Sequence, residues 1–301
     1  MSVQNNCNSI EKLSIVCHNR YFNINVKLHD GTDLKHRFLA RDNRVEMYEN
    51  GVKVQQVNNP RHNVATAVAL FFSELFSRRN LKIDRLEIVT SRLTTTAGNM
   101  EHALDRHWMF MFKRIQRAMR LLPAPVSVRR FYVNGHPLLK GIEVDAFWNA
   151  LAPKQLEVFA HKGKPSAFYR GNLNVLTRTD QWKEAQHVFT EVFEGIAIDD
   201  VCNLKNVTVR MQDFSQYDFL RFIGKSLASD IFSTGHIKVT PIADDWKSAL
   251  KKRIVREMER NSDARMEETD CYYYRMQNGR GSIVVKCIEQ SDHLSIVFVK
   301  Q

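Results

Sequence analysis

The clearest hydrophobic pattern lies in the second half of the chain, where apolar and polar residues alternate and then change period. Val207, Val209 and Met211 alternate with polar neighbours, which predicts a strand with one buried face. Asp213 and Ser215 follow as possible acceptors for the first amides of a helix. Leu220, Ile223 and Leu227 then recur at helical spacing. The sequence therefore predicts a strand, a turn and a helix that packs back on the strand.

Similar units recur along the middle of the chain. Further strand-like runs lie at 81–89, 126–133, 156–160 and 236–242. Helical patterns separate most of them, at 64–78, 101–120, 180–194, 215–227 and 244–260. The strands begin at irregular intervals of roughly 30 to 50 residues, which favours a degenerate β/α repeat array over a strict short repeat. We therefore expect an irregular leucine-rich-repeat-like β/α body.

Both ends of the chain show patterns typical of antiparallel strands. Near the start, Asp30-Gly31 joins the runs 21–28 and 34–39, and Asn50-Gly51 joins 45–48 and 52–57. Near the end, the runs 272–276, 282–288 and 294–299 form a meander with a turn at Asn278-Gly279. The predicted class is α/β (α+β), with N-terminal antiparallel β-hairpins, the β/α body and a C-terminal β-meander. We expect a hairpin region over 1–60 and the repeat-like region over 61–301.

The chain is basic, with 44 Lys and Arg against 33 Asp and Glu and a formal net charge of +11. This excess makes nucleic acid a possible partner. The densest basic segment, 101–120, also carries an apolar stripe of Leu104, Trp108, Met111, Ile115 and Met119, which favours the solvated face of a packed helix. The basic helix at 246–260 interleaves Glu257 and Glu259 with its cations, which favours surface ion pairing over a phosphate track. Nucleic-acid binding is therefore the alternative hypothesis, and we expect a protein rather than a nucleic acid as the partner.

The five cysteines are scattered, and the sequence shows neither a Cys-x-x-Cys pair nor a secretory leader. This pattern indicates reduced thiols in an intracellular protein, either cytoplasmic or nuclear. The most apolar stretch, 64–72, is too short to span a bilayer, so we expect no membrane span.

The sequence offers little that resembles a catalytic centre. It has no phosphate-binding loop, dinucleotide fingerprint, nucleophile elbow or His-Glu-x-x-His motif. The histidine pairs lack the spacing that places two metal ligands on one helical face. Asp244-Asp245 precedes a helix and is explained as a cap with first-turn charges. We therefore predict no catalytic residues, no metal site, no cofactor and no enzymatic activity, with an enzyme of unrecognised site as a minor possibility.

Exposed aromatic residues near the end of the chain are a further candidate for recognition. Tyr272, Tyr273 and Tyr274 alternate across a predicted strand, so one face would present tyrosine to a partner. The competing interpretation is that the outer rings only cover a sheet edge.

A family resemblance follows from the order of elements in the second half. The valine-rich strand, the helix around 218–223, the basic helix, the segment 274–281 and the last strand together resemble the nematode F-box-associated domain, best over 182–301. The resemblance implies a substrate receptor, in which this domain selects targets while an F-box docks the adaptor of a cullin-type ubiquitin ligase. We find no F-box pattern in this sequence, so binding to the ligase adaptor stays open.

Side chains that point outward from successive strands form the expected binding surface of such an array. The candidates are Lys82, Arg85, Arg129, Arg210 and Lys238. Their common positive charge favours a target protein with an acidic surface. The prediction is a non-catalytic protein-recognition module resembling the substrate-binding part of an F-box ubiquitin-ligase receptor.

Overall fold

The computed structural model of the chain divides into two compact units, Met1–Gly171 and Asn172–Gln301. We call them the N-terminal unit and the C-terminal unit. The structure describes residues 8–18, 21–41, 44–57, 64–90, 98–135, 142–162, 176–190, 196–211, 214–240, 246–260, 264–268, 271–275, 281–290 and 293–301. The predicted boundary at residue 60 falls between two elements of the N-terminal unit and stays a prediction.

The N-terminal unit is built on one mixed sheet. Its strands are β1 (Ser9–Cys17), β2 (Tyr21–Leu28), β3 (Asp33–Arg41), β4 (Arg44–Glu49), β5 (Val52–Val57), β6 (Lys82–Thr90), β7 (Ser127–Gly135) and β8 (Val158–Lys162). Its helices are α1 (Val64–Phe76), α2 (Gly98–Arg120) and α3 (Ile142–Trp148), with a short 3-10 helix at Pro153–Gln155. The strand order is β8-β7-β6-β1-β2-β3-β4-β5. The strands from β8 to β1 are parallel, and those from β1 to β5 are antiparallel.

Aromatic side chains place the helices of this unit on one face of its sheet, which we call the helix face. Phe71 of α1 packs edge-on against Phe38 of β3, with ring centroids 5.9 Å apart. Trp148 of α3 packs against Phe159 of β8 at 4.9 Å. Because side chains alternate along a strand, the remaining residues of each strand lie on the opposite, outer face. Lys12, for example, lies between the buried Ile10 and Leu13 and is partly exposed.

The sheet of the C-terminal unit, like that of the N-terminal unit, contains both parallel and antiparallel strand pairs. Its strands are β9 (His187–Thr190), β10 (Asn206–Met211), β11 (Thr234–Val239), β12 (Ala264–Glu268), β13 (Cys271–Arg275), β14 (Ser282–Glu289) and β15 (Leu294–Lys300). Its helices are α4 (Asp180–Lys183), α5 (Ile198–Val201), α6 (Gln216–Ala228) and α7 (Trp246–Arg260). The order is β9-β10-β11-β15-β14-β13-β12. Strands β9, β10 and β11 are parallel, and the others pair antiparallel.

Helix α6 fixes the core of the C-terminal unit. Ser215 caps the helix by accepting a hydrogen bond from the Asp218 amide at 3.2 Å, while the Asp218 carboxylate accepts one from the Ser215 amide at 2.9 Å. Phe219 and Phe222 then pack against Phe298 of β15, with centroids 5.8 and 4.6 Å apart. Phe219 and Phe222 are fully buried, whereas Leu220 is half-buried. The apolar stripe predicted from the sequence, Leu220, Ile223 and Leu227, therefore marks only one edge of the buried face of α6.

The predicted fold class is confirmed. The N-terminal hairpins, the α/β body and the antiparallel C-terminal strands all occur, and the Asn50-Gly51 turn has positive φ at both residues, 50° and 85°. Four of the five predicted stripe residues of the basic helix, Trp108, Met111, Ile115 and Met119, are buried. The leucine-rich-repeat-like character of the body stays a proposal.

One predicted helix is wrong for most of its length. The helix expected at 180–194 ends at Lys183, and His187–Thr190 is strand β9. Val188 and Thr190 are buried and alternate with the half-buried His187 and Phe189, so the period is that of a strand. Pairing with β10 satisfies the backbone of this segment. Strands β1 and β12 and helices α3 and α5 were not predicted from the sequence.

Several predictions lie outside the described residues. These are the cap at Asp213, the Asp244-Asp245 pair and the turn at Asn278-Gly279. The side chains of Leu104 and of Tyr272, Tyr273 and Tyr274 are also outside them, as are Cys7 and the side chain of Cys271.

Candidate functional site

The three predicted binding residues of the N-terminal unit have different surroundings. Lys82 is exposed at the first position of β6. The Arg85 guanidinium contacts the Glu87 carboxylate at 3.1 Å and lies 4.4 Å above the ring of Tyr132. Arg129 forms an ion pair with Asp84, and the hydrogen bond from Arg129 lowers the pKa of that carboxyl. Two of the three cations therefore already have a carboxylate partner within the chain.

Arg210 and Lys238, the two predicted residues of the C-terminal unit, lie side by side. They are aligned partners in the parallel pair of β10 and β11. Both are half-buried, and both alternate with buried residues, so they lie on the outer face of this sheet. The five predicted residues thus form two groups, one in each unit.

Polar residues surround Arg210 and Lys238 on the same face. We define the recognition face as the outward residues of β10 and β11: Asn206, Thr208, Arg210, Thr234, His236 and Lys238. On β15, Val297 and Val299 are aligned with His236 and Thr234 and extend the recognition face with apolar surface. Val299 is 40% exposed.

Hydrogen bonds orient several side chains of the recognition face. The Thr234 hydroxyl donates to Asn206 Oδ1 at 2.7 Å, so the amide nitrogen of Asn206 is left to donate to Nδ1 of His187 at 2.8 Å. His236 Nε2 lies 3.2 Å from the hydroxyl of Ser295. These contacts hold the side chains of Asn206, Thr234 and His236 in defined positions.

Arg210 and Lys238 were identified from the sequence, whereas the other residues of the recognition face were not. The missing signal was available, since the alternation that buries Val207 and Val209 also places Asn206, Thr208 and Arg210 together on the other side. The alternation of apolar and polar residues within one strand does not give the register between β10 and β11. That register decides which residues of the two strands are neighbours.

The outer face of the N-terminal sheet carries a row of cations. Lys27, Lys12, Arg85 and Arg130 are aligned across β2, β1, β6 and β7. Glu87 contacts Lys12 at 2.6 Å and Arg85 at 3.1 Å, and Glu11 contacts Lys27 at 2.7 Å. Burial alone raises the pKa of Glu87, but the hydrogen bond and charge of Lys12 and the charge of Arg85 outweigh it and lower the pKa. Carboxylates therefore interrupt this row.

A buried polar cluster on the helix face has the residue types of a nucleophilic site. His161, the penultimate residue of β8, lies close to Glu143 of α3, with His161 Nε2 3.8 Å from Glu143 Oε1. Burial lowers the pKa of His161 to about 3. Burial and the charge of Glu143 both raise the pKa of Cys17 well above its usual value. Both shifts favour neutral groups at neutral pH, which is the opposite of an activated thiolate and imidazolium pair.

The described residues contain neither a metal-binding cluster nor a membrane-spanning helix. Within that part of the chain, no group of three or more His, Cys, Asp or Glu side chains has the geometry to hold a metal ion. Among the same residues, no helix combines the length and the apolar character needed to cross a bilayer. The described cysteines Cys17, Cys202 and Cys287 are buried and form no disulfide with one another.

Comparison with known protein families gives one match. The family model of the FTH domain, an F-box-associated family of nematodes, matches residues 151–253. This is about a third of the chain, and it contains β8, the elements from α4 to β11 and about half of α7. The resemblance predicted over 182–301 is thus supported over 182–253, and the match begins earlier and stops before the C-terminal strands. Comparison with curated proteins and with solved structures returns no match.

Proposed function

We propose that the protein is a non-catalytic recognition module that binds a target protein through the recognition face of its C-terminal unit. In this proposal it resembles the substrate-binding part of an F-box ubiquitin-ligase receptor and works without a cofactor. It acts inside the cell, in the cytoplasm or the nucleus. The observation that carries the proposal is the FTH match over 151–253, because all six residues of the recognition face lie within it.

The chemistry of the recognition face suits a protein partner. It combines two adjacent cations with amide, hydroxyl and imidazole groups, and aliphatic surface from β15 lies next to them. Arg is enriched among the residues that contribute most to protein interfaces, and apolar area makes up over half of a typical interface. The two cations favour carboxylates on the partner, which would raise the association rate and the specificity.

The recognition face is tested by removing its two charges. Arg210→Gln with Lys238→Gln is compared with a matched control, Lys252→Gln with Arg253→Gln, which removes two exposed charges from α7 of the same unit. Each tagged full-length protein is incubated with a native lysate at physiological salt after nuclease treatment, and bound proteins are identified by mass spectrometry. We expect the wild type and the control to retain the same target and the double variant to lose it.

The same experiment separates the alternatives. Recovery of a ligase adaptor and cullin with the target would add the ubiquitin-ligase connection. Equal recovery of the target by all three proteins would remove the recognition face from the proposal. Recovery of bound proteins from a parallel untreated lysate but from none treated with nuclease would favour the alternative of a basic nucleic-acid-binding protein.

A further inference from the structure

A pocket opens on the outer face of the antiparallel part of the N-terminal sheet, outside the segment that matches the FTH domain. We call it the β2–β4 pocket. The outward polar residues of its lining are Asn23, Asn25, Lys35, Arg37, Tyr48 and Asn50, and the buried His36 also borders it. Asn23, Arg37 and Tyr48 are aligned across β2, β3 and β4, so three neighbouring strands contribute to one row. Among the described residues, no Asp or Glu lines this pocket.

Arg37 is held in a defined position within the β2–β4 pocket. Its Nε donates a hydrogen bond to Asn23 Oδ1 at 3.2 Å, and its guanidinium carbon lies 4.9 Å from the centre of the Tyr21 ring. The residue is nevertheless exposed. Within the described part of the chain, no carboxylate pairs with Arg37, and neither terminal nitrogen makes a hydrogen bond. Two parallel donors on a fixed guanidinium match the two oxygens of one anionic group.

Two nearby carboxylates, Glu46 and Asp33, are paired with other cations. Glu46 is almost fully buried and contacts Lys53 at 2.8 Å and Arg44 at 3.3 Å, and it accepts a hydrogen bond from the Tyr48 hydroxyl at 2.9 Å. Lys35 lies 3.5 Å from Asp33. Arg37 is therefore the cation of this pocket that the described residues leave without an internal counter-charge.

The charge of the whole unit favours an anionic partner. Residues 1–171 contain 26 Lys and Arg against 14 Asp and Glu, a formal charge of +12. Residues 172–301 contain 18 against 19, a formal charge of −1. The net positive charge of the protein thus lies in the N-terminal unit, and its field raises the local concentration of acidic partners.

The geometry favours an acidic protein segment over a nucleic acid. Single-stranded nucleic acids stack their bases on open aromatic rings and follow a continuous track of cations. Here Arg37 lies over Tyr21, and Arg85 lies over Tyr132. Glu11 and Glu87 also interrupt the row of cations that crosses the same face. One oriented guanidinium without a counter-ion suits one anionic side chain.

We propose that the β2–β4 pocket binds an anionic side chain in an acidic segment of the partner protein, with Arg37 as the residue that pairs with it. The inference deepens the proposed recognition function and rests on it, because it adds a second contact site on the same partner. The anionic group is either an Asp or Glu carboxylate or a phosphorylated side chain, and both have the paired oxygens that Arg37 fits.

Fluorescence anisotropy with two labelled peptides tests the pocket directly. One peptide alternates Glu with Ser, and the other carries phosphoserine in place of its central Glu. The full-length wild type is compared with Arg37→Ala, Arg37→Lys and the control Arg117→Ala, which removes an exposed arginine from α2 of the same unit. Thermal unfolding of each variant verifies that it is folded.

We expect Arg37→Ala to weaken binding of the preferred peptide by about 10- to 100-fold, since a hydrogen-bonded charge contributes about 1.5–3 kcal/mol. Arg37→Lys restores part of the affinity, because it keeps the charge and loses the paired donors. Arg117→Ala changes affinity by less than about twofold, as is usual for an exposed charge. The peptide that binds more tightly identifies the carboxylate or the phosphate as the anionic group.

Three results would overturn the inference. They are unchanged binding by Arg37→Ala, equal weakening by Arg37→Ala and Arg117→Ala, or displacement of the acidic peptide by equimolar oligouridylate. The proposed function has its own readout, since it fails if the wild type retains no protein target from nuclease-treated lysate. A target retained equally by the wild type and Arg37→Ala would reject the pocket and leave the recognition function in place.

Discussion

At the scale of single residues, the most unusual group is the buried histidine near the end of β8. His161 is fully buried, and the loss of hydration lowers its pKa to about 3. Burial also lowers the pKa values of His36 and His18, and the charge of Arg37 adds to the effect at His18. All three residues belong to the N-terminal unit. The folded protein therefore holds neutral imidazoles that the unfolded chain would protonate in mild acid.

This difference predicts an acid-dependent loss of stability. The pKa of His161 is lower in the folded protein than in the unfolded chain. The contribution of His161 to the free energy of unfolding is therefore fully present above its unfolded pKa of about 6.5, and it is lost as the pH falls toward the folded pKa of about 3. The free energy of unfolding should fall by up to about 1.4 kcal/mol per pH unit from this residue. Urea unfolding at several pH values between 7.5 and 5 measures the slope.

His161→Gln should make that slope shallower, whatever its effect on stability at neutral pH, because it removes one titrating group. A slope identical to that of the wild type would contradict the assigned role of His161. His36 and His18 remain in the variant, so part of the slope persists.

The sequence correctly predicted which cations point outward where strand alternation alone decides the direction of a side chain. Arg210 and Lys238 were identified as outward cations, and the structure makes them neighbours. Arg85 and Arg129 were identified by the same reasoning, but each contacts a carboxylate of its own strand or of the next. Arg37 was not identified from the sequence. The orientation of its guanidinium depends on Asn23 and Tyr21, which approach it only when β2 and β3 pair.

At the scale of elements, β11 and α6 approach each other closely at a glycine. A methyl group on Gly235 would lie 2.9 Å from Phe222 Cζ and 3.2 Å from Phe232 Cζ. The absence of a side chain at this position therefore allows both rings to pack against the strand.

Gly235→Ala should destabilise the protein by about 1–3 kcal/mol, because the aromatic rings must move to admit the methyl group. Gly224→Ala is a matched control within α6, where a new Cβ meets nothing within 4 Å. The control should stabilise by about 0.5–1 kcal/mol through the better helix propensity of alanine. Urea unfolding of both variants decides the matter, and a Gly235→Ala protein as stable as the wild type would refute the packing argument.

Elements with clear periods were predicted well, and short ones were not. The Asn50-Gly51 hairpin and helix α6 follow directly from local sequence. The four-residue strand β9 was predicted as helix, because four residues hold too little periodic signal to outweigh the helical pattern before them. Its strand conformation is stabilised by pairing with β10, a contact between residues about 20 positions apart.

At the scale of the whole molecule, charge is divided unequally between the two units. The formal charges of +12 and −1 imply that exposed cations of the N-terminal unit act together, whereas those of the C-terminal unit are balanced by acidic neighbours. The exposed residues Lys113, Arg114 and Arg117 of α2 belong to the first set. Lys252, Arg253 and Arg256 of α7 belong to the second.

Heparin-column chromatography tests this division with two matched triple variants. Replacing the three α2 cations by Gln should lower the salt concentration of elution clearly, because it reduces a field of one sign. Replacing the three α7 cations by Gln should lower it much less. Equal shifts for the two variants would show that the local charge of each helix, rather than the balance of its unit, governs polyanion binding.

The sequence by itself determined the α/β class, the hairpins at the start, the antiparallel strands at the end and the outward direction of Arg210 and Lys238. These features depend on local periodicity and turn chemistry, which a short stretch of chain carries within itself. Only the tertiary structure decided strand β9, the hydrogen-bonded partners of the recognition face, the buried environment of His161 and the oriented Arg37. Each of these depends on register and burial, which arise when distant segments pair and exclude water.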